Sequence, residues 1–173
     1  KEIYDDKDIK NLTLKGLVAF IAPIRKETIA SISDCKRAGI KVVMVTGDHP
    51  LTAFAIAKEL NIASDYSEVA TGDDIEKISK KSEKEFDKFI KEKTIFTRVT
   101  PLQKLSIVNS FKRQGEFVAV TGDGVNDAPA IKAANIGIAM GSGTDVAKET
   151  SSMIIIDDNF LAIVAGIKEG RNA

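Results

Sequence analysis

Two apolar runs in this chain end in the same three residues, and this repetition is the strongest constraint on the fold. "VMVTGD" covers residues 43–48 and "VAVTGD" covers residues 118–123. Each run has the apolar character of a strand buried on both faces, and each passes at once into a small polar corner. Parallel strands end at one edge of their sheet, so the two Thr-Gly-Asp corners are predicted to lie near each other.

Strand-like and helix-like segments alternate along the rest of the chain. This pattern predicts an α/β fold, a Rossmann-like, doubly wound and mostly parallel sheet, formed as one unit over residues 1–173. A capping box in "SEKE" marks the start of one further helix that carries Phe86 and Ile90. The predicted strands cover residues 12–20, 40–45, 94–98, 117–120, 136–140 and 152–156, with 67–72 a short strand or loop. The predicted helices cover residues 25–37, 50–60, 101–114, 127–134, 143–150 and 160–170.

Composition excludes several classes of function. The 173 residues include 25 basic and 25 acidic side chains, so no excess charge favours nucleic acid or an anionic membrane surface. The single cysteine, Cys35, cannot form an internal disulfide and is predicted to pack in a helix. No apolar run approaches the roughly 18 residues of a membrane helix.

The two corners have the chemistry of a phosphate site. Each Thr-Gly offers a hydroxyl and unobstructed backbone N–H groups next to a helix start, where the dipole favours an anion. Asp123 and Asp127 would repel a phosphate unless a cation lay between, and Mg²⁺ is bound by one or two carboxylates together with phosphate oxygens. The alternative is that both aspartates are helix caps.

Lys104 is the candidate for the fixed positive charge that phosphoryl chemistry requires. It follows Pro101 in the first turn of a predicted helix, where a cation is mildly unfavourable, so its placement suggests a purpose. The alternative is an ordinary surface lysine. His49 has no partner for a zinc site or a triad and is predicted to be a turn residue, and "GSGTDVAK" does not match a Walker loop.

"VMVTGD", the lysine of "RVTPLQK" and "TGDGVNDAPA" resemble the second, third and fourth motifs of the haloacid dehalogenase-like phosphotransferases. The longer string "TGDGVNDAPAIKAANIGIAMGSGTDVAKETSSMIIIDDNF" is similar to the phosphorylation domain of cation-transporting P-type ATPases, in the calcium and sodium/potassium branch. The resemblance covers nearly the whole chain. It implies an ATP-driven cation pump, with ATP as substrate, Mg²⁺ as cofactor, and a cytoplasmic-facing domain whose membrane segments lie outside this chain.

The resemblance also implies roles for individual residues. Thr46, Gly47 and Asn126 would contact the phosphoryl group, and Lys104 would neutralise it. Asp127 would orient Lys104 and the metal shell. The remaining implied contacts are Mg²⁺ for Asp123, and the nucleotide for Asp48 and Arg98.

Two departures from the family pattern change these expectations. The family's Asp-Pro-x-Arg reads "APIR" here, with Ala22 in place of the aspartate. The phosphorylated aspartate belongs to an Asp-Lys-Thr-Gly-Thr motif, and none of the aspartates in this sequence is followed by Lys-Thr. The chain is therefore expected to be a fragment that begins after the nucleotide-binding domain and is inactive alone.

The missing motif normally ends the central first strand, between the two strands that lead to Thr-Gly-Asp. Its absence predicts a sheet with a gap, a substitute strand such as "KGLVAF" (15–20), or strand-exchanged dimers of the isolated fragment. Two other functions remain open. A soluble phosphatase of the same superfamily would need its own nucleophile, and a non-catalytic Mg²⁺ or phosphate-binding module would have a CheY-like sheet.

Overall fold

The computed structural model describes residue 10, residues 12–18 and residues 23–172. Helices and short strands alternate along these residues, as the sequence predicts. The strands are β1 (Met44–Thr46), β2 (Val69–Thr71), β3 (Ile95–Thr97), β4 (Ala119–Gly122), β5 (Ile136–Met140) and β6 (Met153–Ile155). The helices are α1 (Lys26–Arg37), α2 (Pro50–Glu59), α3 (Gly72–Ser79), α4 (Glu83–Glu92), α5 (Pro101–Arg113), α6 (Ala128–Ala133), α7 (Asp145–Thr150) and α8 (Phe160–Asn172).

The strands form two parallel sheets of three strands each. The first has the order β1-β3-β2, and the second has the order β4-β5-β6. In the first sheet Thr46 and Thr71 both pair with Thr97, so the ends of β1, β2 and β3 lie level with one another. The parallel pairing and the helical crossovers confirm the predicted α/β class.

The burial of the strands reveals a gap between the two sheets. The central strand β3 is fully buried, with Ile95, Phe96 and Thr97 all 0% exposed. By contrast, β1 is only half-buried along its length, and β4 exposes Ala119 and Thr121. Among the described residues, β1 pairs only with β3 and β4 only with β5. Of the three predicted outcomes, a gap is the one that these strands display.

Helices on both faces hold the two sheets together. On one face α5 contacts α6, and on the other α1 contacts α8. Lys168 of α8 donates to the Asp34 carboxylate at 2.8 Å, and Arg171 donates to the carbonyl of Ala38 at 2.8 Å. Phe160 packs against apolar clusters that belong to both sheets. The helices therefore supply the connection that strand pairing does not.

Local signals located most helix ends correctly. Ser82 and Glu85 form the predicted capping box at the start of α4, which buries Phe86 and Ile90. Each of these side chains contributes about 1.5–3 kcal/mol when fully buried. Gly39 and Gly115 end α1 and α5 with positive φ values of 74° and 84°, a conformation that glycine adopts without strain.

Some predicted elements are wrong or displaced. Residues 12–18 form no strand and their apolar side chains are exposed, while residues 19–20 and the substituted Ala22 lie outside the described residues. The strand predicted over 40–45 forms only at Met44–Thr46, because pairing begins where the Met44 N–H reaches the Thr94 carbonyl. The strand predicted over 117–120 is displaced to Ala119–Gly122, which leaves Phe117 74% exposed. Helix α3 was missed within a charge-rich stretch, although Thr71 and Asp74 form a capping box there.

Candidate phosphoryl-transfer site

The corner after β4 folds around the carboxylate of Asp127. A 3-10 turn over Val125–Asp127 leads from the strand into α6. Asp127 Oδ2 accepts hydrogen bonds from the backbone N–H groups of Gly124 at 3.2 Å and Asp123 at 3.4 Å. One oxygen of Asp127 therefore stabilises the turn, and the other oxygen remains for a second partner. As the N-cap residue of α6, Asp127 makes no side-chain capping hydrogen bond to the described residues of that helix.

That second partner is Lys104. Its Nζ donates to Asp127 Oδ1 at 2.6 Å, and the two side chains are 19% and 16% exposed. Thr100 and Gln103 form a capping box that starts α5, and this places Lys104 in the first turn of the helix after β3. The ion pair thus joins α5, which follows β3 of the first sheet, to the corner that follows β4 of the second sheet.

The environment of Asp127 favours its ionised form. Burial raises the pKa of this carboxyl, but the hydrogen bond from Lys104, the two backbone donors and the lysine charge together lower the pKa below its ordinary value. Asp127 is therefore a carboxylate at neutral pH, with one oxygen committed to a cation and the other to the backbone.

Gly122 allows Asp127 to approach. A Cβ at residue 122 would lie 2.5 Å from Asp127 Cβ and 2.8 Å from its Cγ, far inside van der Waals contact. Any side chain at this position would push the carboxylate away from Lys104. The sequence predicts this glycine only as part of an open phosphate cradle, and its packing against Asp127 depends on the tertiary structure.

The corner after β1 is more open. Thr46 Oγ1 accepts a hydrogen bond from the Asp48 N–H at 3.1 Å. Apart from the chain neighbours of Gly47, no atom of the described residues lies within 4 Å of where a Cβ would stand on this glycine. His49 is the N-cap of α2 and accepts from the Leu51 N–H, as expected of a turn residue. Among the described residues no hydrogen bond or ion pair joins this corner to Lys104 or Asp127, so its predicted role stays a prediction.

A third Thr-Gly-Asp, which was not among the predicted corners, stands at the end of β2 at residues 71–73. Here Thr71 and Asp74 cap α3 reciprocally, with 2.7 Å between their side-chain oxygens. The third corner therefore has a structural role.

Arg98, predicted to approach a nucleotide, directly follows β3 with a positive φ of 50°, and its carbonyl oxygen lies 2.4 Å from where a Cβ would stand on Gly72.

Asp123, the predicted Mg²⁺ ligand, lies in the corner after β4. Its side chain is exposed, and among the described residues no hydrogen bond or ion pair engages its carboxylate. Asn126 is also exposed. The described ranges contain no group of three or more His, Cys, Asp or Glu residues arranged to hold a metal. The carboxylate of Asp123 is an oxygen donor of the kind that Mg²⁺ prefers, and a site here would need phosphate oxygens, water or further ligands to complete the metal shell.

Cys35 lies in the core at 4% exposure, and burial raises the pKa of its thiol, so the cysteine is a packing residue as predicted. None of the helices in the described ranges is long and apolar enough to cross a membrane.

A family model described as haloacid dehalogenase-like hydrolase matches residues 2–135, more than three quarters of the chain. The chain belongs to the haloacid dehalogenase-like hydrolase family. This membership confirms the superfamily inferred from the three motifs and the fold class inferred from the alternation of strands and helices.

Curated relatives of this haloacid dehalogenase-like chain are transport ATPases. It is 49% identical over 164 residues to calcium-transporting ATPase 1 of Bacillus cereus and 48% identical to the calcium-transporting ATPase of Bacillus subtilis. It is 45% identical over 187 residues to the sodium/potassium-transporting ATPase subunit alpha-4 of Rattus norvegicus. Each match covers 94% of the chain but only 18% of the relative. The predicted resemblance to the calcium and sodium/potassium branch is confirmed.

A solved structure has the same fold. The catalytic domain of the CPx-ATPase CopB-B, from a study of its conformational changes upon nucleotide binding, superposes with a TM-score of 0.61. The two chains are 24% identical, and the match covers 81% of this chain and 44% of that one. At this identity the likeness supports the fold alone.

Proposed function

We propose that residues 1–173 are the C-terminal part of the phosphorylation domain of an ATP-driven cation pump. In this proposal the domain binds Mg²⁺ and a phosphoryl group while an aspartyl-phosphate forms and is hydrolysed on an aspartate outside this chain. The observation that carries the proposal is the Lys104–Asp127 ion pair, 2.6 Å long and largely shielded from solvent, at the corner that follows β4.

The chemistry follows from charge. Transfer of the γ-phosphoryl group from ATP to a carboxylate spreads negative charge over the phosphoryl oxygens, and fixed donors stabilise that charge more in the transition state than in the ground state. Lys104 would supply such a donor through its remaining N–H groups, while Asp127 keeps the ammonium in one position. Bound Mg²⁺ would neutralise further phosphate charge, with Asp123 as its protein ligand from this chain.

The other predicted residues would complete the binding surface. The Thr46 hydroxyl, the Gly47 backbone and the Asn126 amide would contact phosphoryl oxygens, since each offers a donor at the end of a strand or in the following turn. Asp48 and Arg98 would lie near the nucleotide. Hydrolysis then needs a water molecule to attack the aspartyl-phosphate, which restores the carboxylate and releases inorganic phosphate.

The proposal places this domain on the cytoplasmic side of an integral membrane protein. The transported cation would be bound by intramembrane segments outside these residues, where polar and charged side chains line ion pathways. The names of the curated relatives support calcium, or sodium and potassium, as the class of cargo.

Phosphorylation of the full-length protein that carries this chain tests the proposal. With labelled ATP and Mg²⁺ we expect an acid-stable phosphoenzyme that Asp123→Asn abolishes, because the substitution removes the metal ligand. Asp145→Asn, an exposed acid at the start of α7, is the matched control and should label normally. The isolated chain should take up no label. Normal labelling of the Asp123 variant would refute the metal role, and phosphatase activity of the isolated chain would favour the soluble phosphatase instead.

We also propose that the isolated fragment forms strand-exchanged dimers. Among the described strands β1 and β4 each pair on one side only, and a strand edge that is left open recruits strands from other chains. Light scattering after size-exclusion chromatography should detect a dimer whose fraction rises with protein concentration. A monomer at every concentration would contradict this part of the proposal.

A further inference from the structure

The backbone of Asp123 is fixed from both sides, although its carboxylate is not. Its N–H donates to Asp127 Oδ2, and its carbonyl accepts a hydrogen bond from the Thr144 N–H at 2.8 Å. The first contact belongs to the ion-pair corner described above. The second contact comes from a different element, the loop over residues 141–144 that connects β5 to α7.

Gly143 brings this loop against Asp123. A Cβ on Gly143 would lie 2.9 Å from the Asp123 carbonyl oxygen and 3.1 Å from its Cα, closer than a real Cβ can lie to backbone atoms without a shift. Gly143 is buried, and its N–H donates to the Met140 carbonyl at 3.0 Å. A side chain at residue 143 would therefore force the loop or the backbone of Asp123 to shift.

The loop is held from its far side as well. The Gly141 N–H donates to the Ile155 carbonyl at 2.7 Å, and the Ser142 N–H donates to Asp158 Oδ1 at 3.1 Å. The residues on either side of the loop, in β5 and α7, are tied to the second sheet. The contact with Asp123 is therefore made by an anchored segment, so it can restrain the residue that it touches.

We propose that Gly143 and Thr144 are positioning residues for Asp123, fixing the backbone from which its carboxylate projects toward the metal. The inference rests on the proposed function, because it assumes that Asp123 is a metal ligand. A carboxylate on a restrained backbone loses less conformational freedom when it binds a cation, and residues that orient a ligand typically change metal affinity when substituted.

Two substitutions break the contact in different ways. Gly143→Ala inserts a methyl group against the Asp123 backbone. Thr144→Pro removes the N–H that reaches the Asp123 carbonyl, while the native φ of −65° at residue 144 already suits proline. Thr144→Ala is the matched control for the second change, because it removes only the side-chain cap of Ala147 and keeps the N–H.

Substitutions at two further glycines distinguish loss of the contact with Asp123 from general destabilisation of the fold. Gly137→Ala creates a tighter clash, 2.4 Å from the Ile131 carbonyl oxygen, at a place that does not touch Asp123. Gly166→Ala adds a methyl group in open space on α8. If Gly143→Ala fails to fold, Asp158→Gly releases the loop from its far side at a residue whose φ of 53° glycine adopts freely.

Metal binding is measured directly on the isotope-labelled 173-residue chain. Mn²⁺, a paramagnetic substitute for Mg²⁺, should broaden the amide resonances of Asp123 and Gly124, and added Mg²⁺ should reverse the broadening. Gly143→Ala and Thr144→Pro should each weaken Mn²⁺ binding by roughly tenfold, the lower end of the effect of substituting residues that orient ligands. Asp158→Gly should weaken it less, and the Thr144→Ala, Gly137→Ala and Gly166→Ala chains should bind normally when thermal denaturation shows them folded.

The outcomes distinguish failure of the metal role of Asp123 from failure of the positioning role of Gly143 and Thr144. If Asp123→Asn leaves the broadening unchanged, Asp123 is not the ligand and the proposed metal role fails. If Asp123→Asn abolishes the broadening but Gly143→Ala, Thr144→Pro and Asp158→Gly bind as well as the unsubstituted chain, the positioning role is wrong while the proposed function stands. Equal weakening in Gly137→Ala would also overturn the inference, because the loss would then follow stability and not contact with Asp123.

Discussion

Helix α5 carries an ion pair at each end, and the two pairs connect it to different parts of the molecule. At the first turn Lys104 contacts Asp127, across from one sheet to the other. At the last turn Arg113 contacts Asp87, which also accepts a hydrogen bond from Ser110 at 2.6 Å and whose carbonyl accepts one from Gln114 at 3.0 Å. The second cluster only fixes α4 against α5.

The helix dipole acts in opposite directions on the cations at the two ends of α5. A cation is favourable at a helix C-terminus, so Arg113 is stabilised by its position before any contact with Asp87 is counted. A cation at the N-terminus is disfavoured, so Lys104 depends on Asp127 for compensation. Lys104 lies where the helix dipole disfavours a cation, close to the corner after β4 and its exposed carboxylate. This position is better explained by a chemical role than by a contribution to stability.

The largest expected effect comes from removing Lys104, whereas removing Arg113 should change the rate very little. In the full-length protein Lys104→Met should lower the rate of phosphoenzyme formation by roughly 10²–10³, the usual loss when one fixed donor to a transition-state charge is removed. Arg113→Met should leave that rate unchanged within about twofold, because the Arg113–Asp87 pair lies at the opposite end of α5 from the corner. Rapid-quench kinetics with labelled ATP measures both. Similar losses in the two variants would abolish the distinction between the ends of α5.

The next effect comes from crowding Asp127. Gly122→Ala places a methyl group 2.5 Å from Asp127 Cβ and should separate the carboxylate from Lys104, at a cost of about 3 kcal/mol in unfolding free energy. Gly115→Ala, at the other end of α5, is the control. Its added Cβ meets no atom within 4 Å in the part of the chain that the structure describes, its chain neighbours aside, and the positive φ of 84° should cost about 1 kcal/mol. Urea denaturation gives both values, and equal costs would mean that Asp127 yields without resistance.

The smallest effect concerns pH. Hydrogen bonds from Arg113 lower the pKa of Asp87 although burial opposes them, and the pKa of Asp127 is also lowered. A carboxyl whose pKa is depressed by folding stabilises the protein above its unfolded pKa, near 3.8, and loses that contribution as the pH falls through the folded pKa. Asp127→Asn and Asp87→Asn should each cost about 1 kcal/mol at pH 7.

Unfolding free energies measured at pH 7 and at steps below pH 4 check this prediction. Each variant should approach the unsubstituted chain as the solution becomes more acidic, because protonation then removes the same charge that the substitution removes. A difference that stays constant with pH would show that the carboxylate charge is not what stabilises either end of α5.

Much of the fold could be read from local sequence. The capping boxes at Ser82 and Thr100 and the glycines after α1 and α5 specify helix ends through contacts within a few residues. The segment at residues 12–18 has an equally good strand pattern, yet it forms no strand. A strand needs a partner, and none of the described strands pairs with this segment, so periodicity alone could not decide it.

The candidate site divides in the same way. The sequence by itself determined which groups were available: two Thr-Gly-Asp corners after apolar strands, an out-of-place lysine in a helix first turn, and a carboxylate at residue 123. Only the tertiary structure decided that Lys104 meets Asp127, that Gly122 makes room for this contact, and that Gly143 and Thr144 hold Asp123 from a loop twenty residues away. Residue type sets the chemistry that a position can offer. Which groups come within hydrogen-bonding distance depends on how the helices and sheets pack, and no local pattern records that packing.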